Sequence, residues 1–113
     1  MGLEVNQLYL HPPTIKTGTY TGNGAATQAI TGVGFQPTAL FTFKLVDGSN
    51  HGGFVKTTAM GEYARQIYMN GRYKTDHIIS FDADGFTVGD CTGFTDMCNE
   101  NGVNYAYIAL KDI

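Results

Sequence analysis

The sequence predicts one all-β domain: an antiparallel two-sheet β-sandwich, jelly-roll-like, of about eight short strands with an extended N-terminal arm. Three observations predict it. Runs rich in Thr, Val, Ile, Phe and Tyr recur at the roughly 8–12-residue spacing of sandwich strands. Fifteen glycines, with Asn-Gly and Asp-Gly pairs among them, punctuate those runs as turns. No stretch carries sustained helical periodicity. A barrel is the second architecture this cadence allows, and the absence of an internal repeat argues against propellers and solenoids. The 113 residues suit a single domain.

Residues 1–16 differ from the rest and read as an arm; residues 17–113 read as the sandwich. Pro12-Pro13 forces an extended path and bars helix. The arm's apolar residues cannot fold alone and need a surface, on their own domain or on a neighbouring subunit. Leu3, Val5, Leu8, Tyr9, Leu10, Pro12, Pro13 and Ile15 are therefore the expected partner-binding set. Residues 17–22 form the first strand, turned by Asn23-Gly24. Residues 28–33 form a second, and Pro37 makes a corner. Residues 39–46 alternate most clearly, with Phe41, Phe43 and Leu45 on one face and Thr42 and Lys44 on the other. A Gly-rich loop leads to a short strand at 54–57, and residues 59–66 hold the one plausible helical turn. Asn70-Gly71 is the strongest two-residue hairpin signal. Residues 77–81 and 86–89 flank a longer turn, Asp82-Ala83-Asp84-Gly85. Residues 91–102 read as loop, and residues 103–110 close the chain with Val103, Tyr105, Tyr107 and Ala109 on one face.

Composition narrows the function classes. Apolar residues make up 42% of the chain, enough for a packed core. Charged residues make up only 15%, against roughly 25% in ordinary domains. A weakly charged surface fits a protein interface, and it equally fits β-loop composition. The net charge of −3 and the lack of a Lys/Arg cluster argue against nucleic acid as a partner. No apolar run approaches the ~18 residues of a membrane span. Residues 1–10 lack a basic segment and contain Glu4 and Asn6, unlike a signal peptide, so synthesis in the cytoplasm is expected. In that compartment Cys91 and Cys98 are expected as thiols rather than as a disulfide.

Candidate chemistry is sparse. Asp82 and Asp84 stand two apart in a turn, as the first ligands of a calcium loop do, but the further ligands of such a loop are missing. Turn chemistry is the stronger reading. His11, His51 and His77 are scattered; Ser49 lies near His51 in a Gly-rich loop that is a poor platform for a triad. Carboxylate pairs without any Trp make a weak glycosidase case. The seven tyrosines can stack on sugars, or sit half-buried with their hydroxyls at the rim. No catalytic residue and no cofactor is expected.

Several segments resemble, in order, a small β-sandwich module of tailed-bacteriophage and cyanophage virion proteins. They are Thr17-Gly-Thr-Tyr-Thr-Gly-Asn-Gly24, then Ile30-Thr-Gly-Val-Gly-Phe-Gln-Pro37, Phe81-Asp-Ala-Asp-Gly-Phe-Thr-Val-Gly89 and Asn101-Gly-Val-Asn-Tyr-Ala-Tyr-Ile-Ala-Leu-Lys111. The chain departs from that pattern at Thr38-Ala-Leu-Phe-Thr-Phe43, and residues 48–74 do not match it. The module usually lies inside tail or fibre proteins; in this sequence it follows residues 1–16, which are expected to form an arm. The resemblance implies a non-enzymatic virion structural protein, a capsid decoration (cement) protein clustering as a homotrimer on the major capsid protein. A tail-fibre or tail-tip module recognising host glycans is the alternative.

Overall fold

The computed structural model describes residues 14–45, 53–67, 73–75, 77–90 and 98–112. These form nine strands in two sheets with only antiparallel pairing, stacked as a β-sandwich. The larger sheet runs β1-β9-β3-β4-β5-β6 and the smaller β2-β8-β7. The strands are β1 Ile15–Thr21, β2 Thr27–Ile30, β3 Ala39–Lys44, β4 Gly53–Thr57, β5 Ala64–Ile67, β6 Tyr73–Lys74, β7 Ile78–Asp82, β8 Gly85–Gly89 and β9 Asn104–Leu110. Among the described residues the one helical turn is a 3₁₀ turn at Thr58–Met60. The last strand, β9, lies between β1 and β3, so strands far apart in sequence are neighbours in the larger sheet.

The core lies where the two sheets face each other. The alternation of β9 holds: Tyr105, Tyr107 and Ala109 point inward and are buried. They meet Tyr20, Leu40, Phe54 and Ala64 from their own sheet and Ile30, Ile78, Phe86 and Val88 from the other. Rings set the geometry. Tyr20 stacks on Tyr105 with centroids 5.0 Å apart, and Phe86 meets Tyr20 and Tyr107 edge-on at 5.9 and 5.1 Å. The Tyr20 hydroxyl donates to the Cys98 carbonyl at 2.8 Å, and the Tyr105 hydroxyl accepts from the Glu100 N–H at 2.9 Å. Gly18 lies opposite Tyr107, whose ring covers it; a Cβ there would sit 2.6 Å from the Tyr107 hydroxyl oxygen.

Burial raises the pKa of Tyr105 to about 12, and raises that of Tyr20 further still. The unfolded chain ionises near pH 10, so the folded state holds protons that the unfolded state releases. This contribution to stability is full below about pH 10 and is lost as pH rises toward about 12. Urea midpoints are therefore expected to fall steeply between about pH 9 and about pH 11, and equal midpoints would contradict the burial of these hydroxyls.

Several local expectations are corrected. The first strand begins at Ile15, so Ile15 and Lys16 belong to the sheet, opposite Leu110 and Ala109. Leu3, Val5, Leu8, Tyr9, Leu10, Pro12 and Pro13 lie outside the described residues. Asn23-Gly24 does not close a hairpin: β1 pairs with β9 and β2 with β8, and the chain crosses between sheets there. Asn70-Gly71 lies outside the described residues; the strands before and after it pair Ala64 with Lys74 and Arg65 with Tyr73. The β7–β8 hairpin is tighter than expected, with Asp82 opposite Gly85 and only Ala83-Asp84 between them. In β3 the inward residues are Leu40 and Thr42, both buried; the Phe41, Phe43 and Leu45 phase faces away from the core.

Candidate protein-docking surface

The outward phase of β3 creates the most distinctive surface among the described residues. Side chains alternate along strands, so register decides which residues share the outer face of the six-stranded sheet. One row across it holds Val55, Phe41, Ile108 and Thr17; the next holds Ile67, Gly53, Phe43, Ala106 and Thr19. A third holds Thr57, Ala39, Leu110 and Ile15. The Phe41 and Phe43 rings lie parallel at 6.4 Å, half-buried, and Val55 is half-buried beside them. Ile15, Ile67 and Ile108 are 59%, 40% and 36% exposed. Arg65 is the one charged residue in register on this face among the described strand residues.

The lysines of β3 and β4 occupy the opposite phase. Lys44 Nζ pairs with Glu100 Oε2 at 3.3 Å. Lys56 is buried, and its ammonium donates to the Gly61 and Tyr63 carbonyls while lying 5.9 Å from the centre of the Phe81 ring. Burial lowers its pKa, against the opposing pull of Glu62. β3 and β4 thus hold their lysines on protein oxygens and turn aliphatic and aromatic groups to solvent. A contiguous apolar face of this kind marks an interaction surface more often than chance exposure does. It can exclude water over a broad area.

Asp82 and Asp84 do not converge. Asp82 accepts from the Ser80 hydroxyl at 2.8 Å and the Thr87 hydroxyl at 2.6 Å, tying the hairpin across itself. Asp84 accepts from the N–H groups of Gly32 at 3.0 Å and Gly34 at 2.7 Å, tying the hairpin to the loop after β2. Gly32 and Gly34 have φ of 85° and 95°, the left-handed geometry that lets both N–H groups turn toward one carboxylate. Among the described residues no group of three His, Cys, Asp or Glu could hold a metal. His77 is buried with its ring 3.6 Å from that of Phe54, while His11, His51 and Ser49 lie outside the described residues. Cys98 is buried and its Sγ donates to the His77 carbonyl at 3.0 Å; Cys91 lies outside the described residues. Tyr20, Tyr105 and Tyr107 belong to the core, which removes them from any sugar platform. No helix among the described residues is long and apolar enough to cross a membrane.

The expected partner-binding set contained one member of the exposed face, Ile15. Phe41, Phe43, Val55, Ile67 and Ile108 were not singled out for it. The available signal was that residues 39–44 carry apolar side chains in both phases, so burying one phase necessarily leaves the other at the surface.

Neither curated proteins nor solved structures yield a significant match to this sequence. Residues 13–112, nearly the whole chain and all nine strands, match one family, and the chain therefore belongs to it: Domain of unknown function (DUF7483).

Proposed function

We propose that this chain is a non-enzymatic structural protein of a bacteriophage virion, a capsid decoration (cement) protein held on the head by many copies of one weak contact. The observation that carries the reading is the apolar outer face beside the root of the arm. Ile15, where β1 begins, lies in the same row as Leu110 and Ala39, at the corner of that face. Face and arm together form one attachment surface directed at the major capsid protein. An extended arm adds main-chain hydrogen bonds to a neighbour, and the face adds burial without desolvating charge. Repetition over a lattice multiplies modest affinities into lasting attachment. The ordered resemblance to phage modules is the second support.

The test uses particles purified without the protein and re-decorated with it. Deleting residues 1–13 is expected to cut occupancy at least about tenfold while leaving circular dichroism and Tm unchanged. Ile108→Asp, placed in the middle of the outer face, is expected to weaken it comparably. Full decoration by both variants would overturn the reading. Labelling confined to the tail, with hits on a glycan array, would replace it with a receptor-binding role.

A further inference from the structure

The four sheet edges are not equivalent. Natural edge strands are kept short, bulged, charged or covered, because their unpaired N–H and C=O groups would otherwise recruit another strand. Three edges here obey that rule. β6 has two residues, β2 has four, and β7 is interrupted by a register shift between Ile78 and Ser80. β1 does not. It runs seven residues without bulge or proline, and Lys16 is its one charge.

Hydrogen-bond parity tells which of its groups are available. The Thr14 carbonyl accepts from Lys111 N–H at 2.9 Å, and Gly22 exchanges with its neighbours at the other end, donating to Val103 O at 2.8 Å and accepting from Gly102 N–H at 2.9 Å. Both are even positions, and antiparallel bonding alternates with period two. The even residues of β1 therefore bond to β9, and Ile15, Thr17, Thr19 and Thr21 aim their backbone groups away from it. No strand among the described residues pairs with that side.

We propose that β1 is a self-docking edge, through which two copies of this chain join antiparallel about a twofold axis at Gly18. That register pairs Thr17 with the second copy's Thr19 and Ile15 with its Thr21, each pair twice. It is the register that engages all four outward-facing residues, because shifting by two in either direction leaves one of them unpaired. Charge agrees with it: Lys16 falls opposite Tyr20 of the second copy rather than opposite its own counterpart, and Thr–Thr cross-strand pairs are favourable. Gly18 meets Gly18 at the axis, so no side chain crowds the crossing. The twofold pair merges the outer faces into one apolar surface twice as wide. It is an isologous contact, in place of the threefold cluster that the resemblance implies.

Sedimentation of the full chain at about 100 µM is expected to show a dimer that dissociates on dilution into the low-micromolar range. Thr19→Pro removes an outward N–H while sparing the β9 ladder, and is expected to weaken the dimer about tenfold or more. A second pair of variants guards against misfolding by proline. Thr17→Glu/Thr19→Glu and Thr17→Lys/Thr19→Lys are each expected to be monomeric, since like charges then face each other, and to form a heterodimer when mixed. A wild type monomeric at about 100 µM overturns the proposal, as does a dimer indifferent to all three variants. A monomer that dimerises only after residues 1–13 are deleted overturns it too, by showing that the chain's own arm occupies the edge. The result is independent of decoration: a dimer that binds no particle would refute the virion reading and leave this one standing.

Discussion

Replacing Phe86 by alanine is expected to lower the unfolding free energy by about 3–5 kcal/mol, a large part of the ~5–15 kcal/mol that holds a domain of this size together. Phe86 lies in β8, the central strand of the smaller sheet, and is fully buried. Its ring meets Tyr20 and Tyr107 edge-on, and these come from the two adjacent strands β1 and β9 of the larger sheet. It is the side chain that couples sheet to sheet. The cavity left by alanine cannot collapse easily, because Tyr20 is held by its hydroxyl on Cys98 and by its stack on Tyr105. Equilibrium urea unfolding measures the loss as a lower midpoint. A change under about 1 kcal/mol would mean that the sheets are not packed through this ring.

Asn99→Leu is expected to cost about 2–4 kcal/mol, although it adds apolar volume to a buried position. The Asn99 amide is fully buried and used on both ends. Its Nδ2 donates to Asn23 Oδ1 at 2.9 Å and to the Ala25 carbonyl at 3.0 Å, and its Oδ1 accepts from Asn23 N–H at 3.1 Å. This clamp holds the crossing from β1 to β2, together with the Gly24 N–H, which donates to the Asn99 carbonyl at 2.9 Å. Leucine leaves one donor and two acceptors without their bonds. Asn99→Asp separates polarity from shape. It keeps the acceptor for Asn23 N–H but sets an oxygen against two oxygens. At neutral pH it is expected to be destabilised as strongly as the leucine variant. Below about pH 4 a protonated carboxyl can donate one bond again, so part of the loss relative to wild type is expected to return. Thermal melts of both variants at the two pH values check this. Equal losses for Asn99→Asp at both would argue against the clamp.

Much of the strand inventory was legible in the chain because each strand is short and bounded by glycine, proline or asparagine. β9 was legible down to its buried face, since Tyr105, Tyr107 and Ala109 alternate with a weaker phase. The turns were less so. Asn23-Gly24 is hairpin chemistry placed where the chain changes sheet, because the pairing of β1 with β9 and of β2 with β8 outweighs the preference of one dipeptide. The candidate surface was hidden by its strongest clue: three apolar residues on one phase of residues 39–45 resemble a core, and they lie outside it.

Local pattern alone specified an all-β domain, the positions of most strands and the inward face of β9. Tertiary structure decided that β9 would split β1 from β3, that Asp84 would bind Gly32 and Gly34, and that Leu40 and Thr42 rather than Phe41 and Phe43 would turn inward. The physical reason is that both phases of β3 can be buried, and only the neighbours choose between them. β9 presents Tyr105, Tyr107 and Ala109 on one side, and once that side faces the smaller sheet the register of Leu40 with Ala109 and of Thr42 with Tyr107 sends the phenylalanines outward.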